Sequence, residues 1–268
     1  MRGELHIHTT ASDGELRLEE ILKYVSGKED YISITDHDIL GNSIKAKEIA
    51  PNYGLKAIVG VEISTKRNDE NVHILGYFND ESDLKELEEV LLSVRKHRVV
   101  RLYLIKAKLK EVFDIDLDIT NLLKLASVTR GSIGREIIKQ GYNYSTKEIF
   151  DQMIGVGCPA YIPSSKISTQ EGIDLVHRAH GKAVLAHPTL LKDNDPEDIV
   201  KMGVDGIEAI YPLNKDGEEE KFRSLAKKYN LFITGGSDFH AFGDNRHGDL
   251  LSTMIEGEDL DRFLKEVL

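Results

Sequence analysis

Short runs rich in Val and Ile alternate along this chain with segments of helical period. That alternation leaves few folds open, because strands joined through helices pack as βαβ units around a parallel sheet. Seven strands are predicted, at residues 5–8, 31–35, 56–63, 71–78, 183–186, 206–210 and 231–234, and helical patterns follow most of them, at 18–25, 43–50, 196–202 and 218–229. Between residues 78 and 183 the strand signal gives way to helices at 83–112, 120–125, 133–140, 147–154 and 170–180. The expectation is an α/β chain in two parts, with residues 1–78 and 181–268 carrying the sheet and residues 79–180 forming an inserted helical subdomain.

The 268 residues are 40% hydrophobic, which is enough for a sizeable core. Lys and Arg number 35 against 46 Asp and Glu, a net charge of −11. A chain that acidic is a poor binder of long nucleic acid, whose affinity comes from neutralising many phosphates. One stretch departs from the average: residues 95–110 carry Arg95, Lys96, Arg98, Arg101, Lys106, Lys108 and Lys110 and no acid. Its apolar residues do not form one clean stripe, so the pattern does not say which face is buried. Cys158 is the only cysteine, which excludes an internal disulfide framework and a cysteine-rich zinc module and fits a reducing compartment. No run approaches the roughly 18–20 apolar residues that span a bilayer, and the opening residues turn polar early. A soluble, cytoplasmic protein without a membrane partner is expected.

Histidines and acids gather at the carboxyl ends of the predicted strands, where active sites of α/β barrels are built from converging loops. Strand one ends His6-Ile7-His8 with Asp13 following; strand two ends Asp36-His37-Asp38; strand three ends at Glu62; strand four contains His73; strand five ends at His187; and strand seven ends Asp238-Phe239-His240. His6 and His8 point the same way because residues two apart on a strand share a face. Alone, such a pair is as easily two ordinary polar residues at a strand end. Six of the ten histidines and three carboxylates reaching one rim is a different matter, since buried polar groups without partners are costly. Nine ligands exceed the four places around one tetrahedral ion, so two or three divalent ions are implied. Nitrogen and oxygen donors without thiolate suit Mn²⁺, Zn²⁺ or Fe²⁺ alike. Close-set divalent ions suit phosphoryl hydrolysis.

The run His6-Ile-His8-Thr-Thr-Ala-Ser-Asp13-Gly, then Thr35-Asp36-His37-Asp38, Gly60-Val-Glu62-Ile, His73-Ile-Leu-Gly-Tyr, Ala186-His187-Pro188 and Gly236-Ser-Asp238-Phe-His240 resembles the PHP (polymerase and histidinol phosphatase) metal-dependent phosphoesterases, in order from residue 6 to residue 240. The resemblance implies a distorted TIM-like (β/α)7 barrel with a trinuclear centre. It would put His6, His8, Glu62 and Asp238 on one ion, Glu62, His73 and His187 on a second, and Asp13, His37 and His240 on a third. Within the family, a large helical insertion between the His73 and His187 motifs resembles the branch that removes the 3′-phosphate from nucleoside 3′,5′-bisphosphates, related members trimming short RNA from its 5′ end.

In that branch arginines of the insertion hold substrate phosphates, and the matching positions would be Arg95, Arg98 and Arg135. The branch commonly has a His soon after the last arginine where this chain has Glu136-Ile137-Ile138, a departure that bears on the exact substrate. A planar guanidinium suits phosphate through two parallel hydrogen bonds, although a charge-rich helix is usually a solvated face. Asp36 and Asp38 are outer acceptors that could fix an imidazole tautomer, or strand-end caps. His247 follows the Asp238-x-His240 motif closely enough to reach the rim, and neither it nor His97 is assigned a role. His177 and His180 read as surface or helix-end residues and Cys158 as buried bulk.

The expected enzyme is a metal-dependent phosphoesterase acting on a small nucleotide or a short 5′-phosphorylated oligonucleotide. A histidinol phosphatase or other metal-dependent hydrolase, or a non-catalytic metal-binding accessory domain, would share the rim. The basic insertion favours a substrate with more than one phosphate, and the retention of all nine positions favours an enzyme.

Overall fold

The structure, a computed structural model, describes residues 1–81, 83–163, 166–244 and 246–268. The chain divides into two compact units, residues 1–91 with 166–268, and residues 92–165. That division is tighter than the 79–180 insertion expected from the sequence.

The first unit begins with β1 (Arg2–Ile7), α1 (Leu18–Val25), β2 (Tyr31–Ile34), α2 (Gly41–Ile49), β3 (Lys56–Ala57), β4 (Val59–Arg67) and β5 (Glu70–Phe78). Helix α3 (Lys85–Phe113) contains the division between the units, and α4 (Arg130–Lys139) and α5 (Thr146–Ile149) lie in the second. The first unit resumes with β6 (Ile167–Ser168), α6 (Thr169–Arg178), β7 (Lys182–Leu185), α7 (Pro196–Val200), β8 (Gly206–Ile210), α8 (Glu218–Tyr229), β9 (Phe232–Gly235), β10 (Ile255–Glu256) and α9 (Gly257–Val267).

The helices follow local rules. In α1 the buried Leu18, Ile21, Leu22 and Val25 fall at helical spacing, and Glu20 caps the start by accepting from the Arg17 backbone N–H at 2.8 Å. Thr129 and Ser132 cap each other's backbone N–H at the start of α4, at 3.1 and 3.0 Å.

The strands form two sheets, ordered β10-β1-β2-β3 and β6-β4-β5-β7-β8-β9. They are mixed rather than all parallel: β5 runs antiparallel to both β4 and β7, and β10 antiparallel to β1. The physical reason is the two-residue link Asn68-Asp69, with φ of 47° and 62°. Consecutive positive φ values make a tight hairpin turn, which Asn and Asp tolerate, and no helix can cross over in that length. Single bridges Ile7↔Phe239 and His37↔Glu62 join the ends of one sheet to the other.

Three apolar clusters pack around these strands in the first unit, centred on residues such as Val61 and Leu185, Tyr77 and Phe263, and Ile21 and Ile34. The second unit has its own core of Leu102, Ile105, Leu109, Ile133, Ile137 and Met153 among others. Helix α9 was not anticipated from the sequence; it buries Leu260, Phe263 and Val267. Among the described residues no helix is long and apolar enough to cross a membrane.

Candidate metal centre

The strand ends of the first unit converge on one buried cluster. His6 and His8 straddle the end of β1, His37 follows β2, Glu62 lies within β4, His187 follows β7, and Asp238 and His240 follow β9. Because β5 is reversed, its early residue His73 reaches the same place. Asp13 arrives on the loop after β1. All nine residues expected from the sequence are brought together.

The tightest group is His6, His8, Glu62 and Asp238. His8 Nε2 lies 3.2 Å from His6 Nε2, 3.1 Å from Glu62 Oε2 and 3.0 Å from Asp238 Oδ1, and His6 Nε2 lies 3.4 and 3.3 Å from the same two oxygens. Four donors around one ion at bond lengths of about 2.1 Å stand about 3.4 Å apart. Glu62 Oε2 and Asp238 Oδ1 are buried with no hydrogen-bond partner among the described residues. Orphaned carboxylate oxygens facing imidazole nitrogens at these separations fit a divalent cation.

Glu62 extends the cluster on its other oxygen. Its Oε1 lies 2.7 Å from His73 Nδ1 and 2.9 Å from His187 Nε2, and His37 Nδ1 lies 3.0 Å from Oε2. A third group joins His8, Asp13, His37 and His240, with His240 Nε2 3.2 Å from Asp13 Oδ1 and His37 Nε2 3.9 Å from Oδ2.

The electrostatics follow from this crowding. Burial opposes ionisation of Glu62, yet His37, His73 and His6 hold its pKa well below the carboxylate range. Asp13 and Asp238 are likewise depressed against burial, by His240 and His37 in one case and by His6, His247 and His240 in the other. Conversely, burial opposes charge on His6 while Glu208, Asp238 and Glu62 raise its pKa well above the ordinary value. Three buried carboxylates thus demand positive charge, which divalent ions supply directly. Three non-glycine residues here have positive φ, Asp38 at 56°, His187 at 26° and Asp238 at 53°. Strain of this kind persists where surrounding structure over-determines a functional conformation.

Asp36 accepts from Thr9 N–H at 2.8 Å, Thr9 Oγ1 at 2.6 Å and Ser12 Oγ at 2.6 Å, so it holds the loop after β1. It bonds no imidazole itself; Ser12 Oγ lies 3.5 Å from His8 Nδ1. Asp38 accepts from the Ser64 backbone N–H at 2.8 Å.

Sequence reasoning missed several supporting groups. Glu208 accepts from His6 Nδ1 at 3.0 Å and from the His187 backbone N–H at 2.7 Å. The Tyr211 hydroxyl donates to Asp238 Oδ2 at 3.0 Å. Glu4, its pKa pushed up to about 8 chiefly by burial, accepts from the Ser237 N–H at 2.7 Å. An acid inside an apolar strand, as in Glu208 of Gly-Ile-Glu-Ala-Ile, was the available signal. His247 stands with Asp238 and His240.

In the second unit Arg98 is buried and donates to the Val128 carbonyl at 3.2 Å. Arg101 is held down at about 9 by burial and then by the charges of Arg130 and Arg98. Arg130 lies over the Tyr161 ring at 5.6 Å. Arg101 and Arg130 thus join Arg98 in a like-charged group, and these two, like Arg95 and Arg135, are half-buried. Clustered guanidinium groups suit an anion such as phosphate.

The PHP domain profile matches residues 4–156. The chain belongs to the PHP domain family. It is 31% identical over 251 residues to the 5′-3′ exoribonuclease Rnm of Escherichia coli, covering 88% of this chain and 84% of that one. The 3′,5′-nucleoside bisphosphate phosphatase of Chromobacterium violaceum is 26% identical over 253 residues, covering 90% and 88%. The fold is similar to that of a Bifidobacterium adolescentis protein described as a metal-dependent phosphoesterase, with a TM-score of 0.88, 24% identity and coverage of 99% and 96%. As a PHP-domain protein the chain is a metal-dependent phosphoesterase.

Proposed function

We propose that this PHP-domain protein hydrolyses phosphate esters of small nucleotides carrying more than one phosphate, a nucleoside 3′,5′-bisphosphate or a short 5′-phosphorylated oligonucleotide. The observation that carries the substrate class is the grouping of Arg98, Arg101 and Arg130, close enough that the charges of Arg130 and Arg98 add to burial in lowering the pKa of Arg101, in a chain of net charge −11. The names of the Escherichia coli and Chromobacterium violaceum relatives support the same class.

In this reading two or three ions, of manganese, zinc or iron, are divided as the family resemblance implies: His6, His8, Glu62 and Asp238 on one, Glu62, His73 and His187 on a second, Asp13, His37 and His240 on a third. His8–Asp238 at 3.0 Å, His187–Glu62 at 2.9 Å and His240–Asp13 at 3.2 Å support that division, and His37 lies between two of the groups, 3.9 Å from Asp13 and 3.0 Å from Glu62. Divalent ions held by these residues would supply hydroxide near neutral pH and neutralise charge on the phosphoryl oxygens. The chain's own part is positional. Glu62 reaches the His73/His187 pair through Oε1 and the His6/His8 pair through Oε2. Glu208 and Ser12 orient the imidazoles of His6 and His8, and the burial of the cluster keeps bulk water from competing.

The helical insertion takes the phosphate-holding role, through Arg98 with Arg101 and Arg130 and through Arg95 and Arg135. The seven longer strands β1, β2, β4, β5, β7, β8 and β9 make the distorted barrel, an inference supported by the bridges that join the ends of the two sheets. The single cysteine fits a cytoplasmic setting.

Release of phosphate or nucleotide is measured with Mn²⁺ on a 3′,5′-bisphosphonucleotide, a 5′-phosphorylated oligoribonucleotide and histidinol phosphate. Preference for either of the first two supports the proposal; preference for histidinol phosphate points to the rival phosphatase.

A further inference from the structure

The loop after β9 carries an imidazole outside the nine positions. His247 stacks on His240, ring centroids 3.8 Å apart and planes 21° from parallel. Its Nδ1 donates to Asp244 Oδ2 at 2.8 Å. A carboxylate in that position keeps the proton on Nδ1 and leaves Nε2 with its lone pair, an arrangement typical of metal-binding histidines. That Nε2 lies 4.0 Å from Asp238 Oδ2, and Asp238, His240 and His247 each bring a ligand-type atom within 4.8 Å of the others.

Asp238 divides its two oxygens. Oδ1 belongs to the His6 and His8 group, at 3.3 and 3.0 Å. Oδ2 turns to the Tyr211 hydroxyl and toward His247. The loop is tied down at both ends of the contact: Asp244 Oδ1 accepts from the Arg246 N–H at 3.0 Å, and the Gly248 N–H donates to the Ser237 carbonyl at 2.8 Å. A Cβ at Gly248 would stand 2.8 Å from that same carbonyl oxygen, so only glycine permits the approach that sets His247 beside the site.

We propose that His247 is a further metal ligand, acting through Nε2 beside Oδ2 of Asp238, with Asp244 as its positioning residue. The inference rests on the reading of the rim as a metal centre.

The test is a Co²⁺ titration of chelator-treated protein, read by equilibrium dialysis and by the visible absorption of the bound ion, in wild type, His247→Ala, His247→Gln and Asp244→Asn, with circular dichroism checking the fold. Wild type is expected to take up about two to three equivalents. Both His247 variants are expected to lose one equivalent, or to bind it at least about tenfold more weakly with an altered spectrum, the rest keeping wild-type affinity. Asp244→Asn keeps the ring and is expected to weaken the same equivalent. Wild-type stoichiometry, affinity and spectrum in a folded His247 variant overturn the proposal; if neither His247 variant folds, an unaltered Asp244→Asn overturns it. Wild type that binds no cobalt overturns both this proposal and the metal-centre reading, whereas normal wild-type binding with unaltered variants overturns this proposal alone.

Discussion

Glu208 accepts a hydrogen bond from Nδ1 of His6 at 3.0 Å, both side chains fully buried. With the His6 proton fixed there, its other nitrogen is left to face His8, Glu62 and Asp238. The second Glu208 oxygen takes the backbone N–H of His187 at 2.7 Å, so one carboxylate on β8 sets histidines at the ends of β1 and β7.

Glu208→Gln preserves shape while removing a charged acceptor. It is expected to weaken Mn²⁺ binding by about 10–100-fold with the fold intact. Calorimetric titration of chelated protein measures this, and unchanged affinity would contradict the orienting role.

Gly236 lies against β1. A Cβ there would stand 2.6 Å from both the Cβ and the backbone nitrogen of His6. Gly236→Ala should therefore push β1 away from β9, lowering stability by about 1–3 kcal/mol and reducing metal uptake along with it. Thermal melting and metal analysis of the same sample read both effects.

Much of this site was legible in advance because strand ends are marked by composition. Apolar runs stopping at His8, His187 and Asp238 located the rim, and the period-2 rule paired His6 with His8. The orientation of β5 was less legible: the βαβ alternation led to parallel strands, whereas the Asn68-Asp69 turn reverses β5, and His73 reaches the rim through that reversed strand. Glu208 escaped notice because a lone acid in an apolar strand has no partner visible in sequence; its partners are 202 and 21 residues away. Arg101 and Arg130 were hidden by the mixed apolar pattern around residues 95–110, which gave no face to the helix, and by the distance from one arginine to the next along the chain. Helix α9 lacked an anticipated signal although its Leu260, Phe263 and Val267 stripe is regular.

The arginine group makes a prediction with two readouts. Arg101→Ala should raise KM for a 3′,5′-bisphosphonucleotide by about tenfold or more, the scale of one charge-assisted phosphate contact, and change little for p-nitrophenyl phosphate. Because the side chain is a half-buried cation beside Arg98 and Arg130, thermal stability should rise rather than fall in Arg101→Met. Equal losses on both substrates would contradict a phosphate-specific role.

Glu29 offers a pH test remote from the rim. Burial, with Asp30 and Glu256 adding to it against Arg2, lifts its pKa from 4.5 to about 6. The folded state therefore holds this proton more tightly than the unfolded state. The resulting cost is absent below pH 4.5, develops as pH rises through about 6, and is constant above. After allowance for solvent screening, Glu29→Gln should stabilise the protein by about 1 kcal/mol at pH 8 and by nothing measurable at pH 4. Denaturant midpoints at the two pH values decide it.

The central claim is that the nine convergent residues hold divalent ions that hydrolyse a phosphate ester. Its most direct measurement is phosphate release from a 3′,5′-bisphosphonucleotide by chelated protein as Mn²⁺ is added back, beside Asp238→Asn and His8→Ala. The expected result is turnover that appears with the metal, saturates as about two to three equivalents are bound, and is lost in both variants while their folded spectra persist. Turnover independent of added metal, or retained in Asp238→Asn, would contradict it.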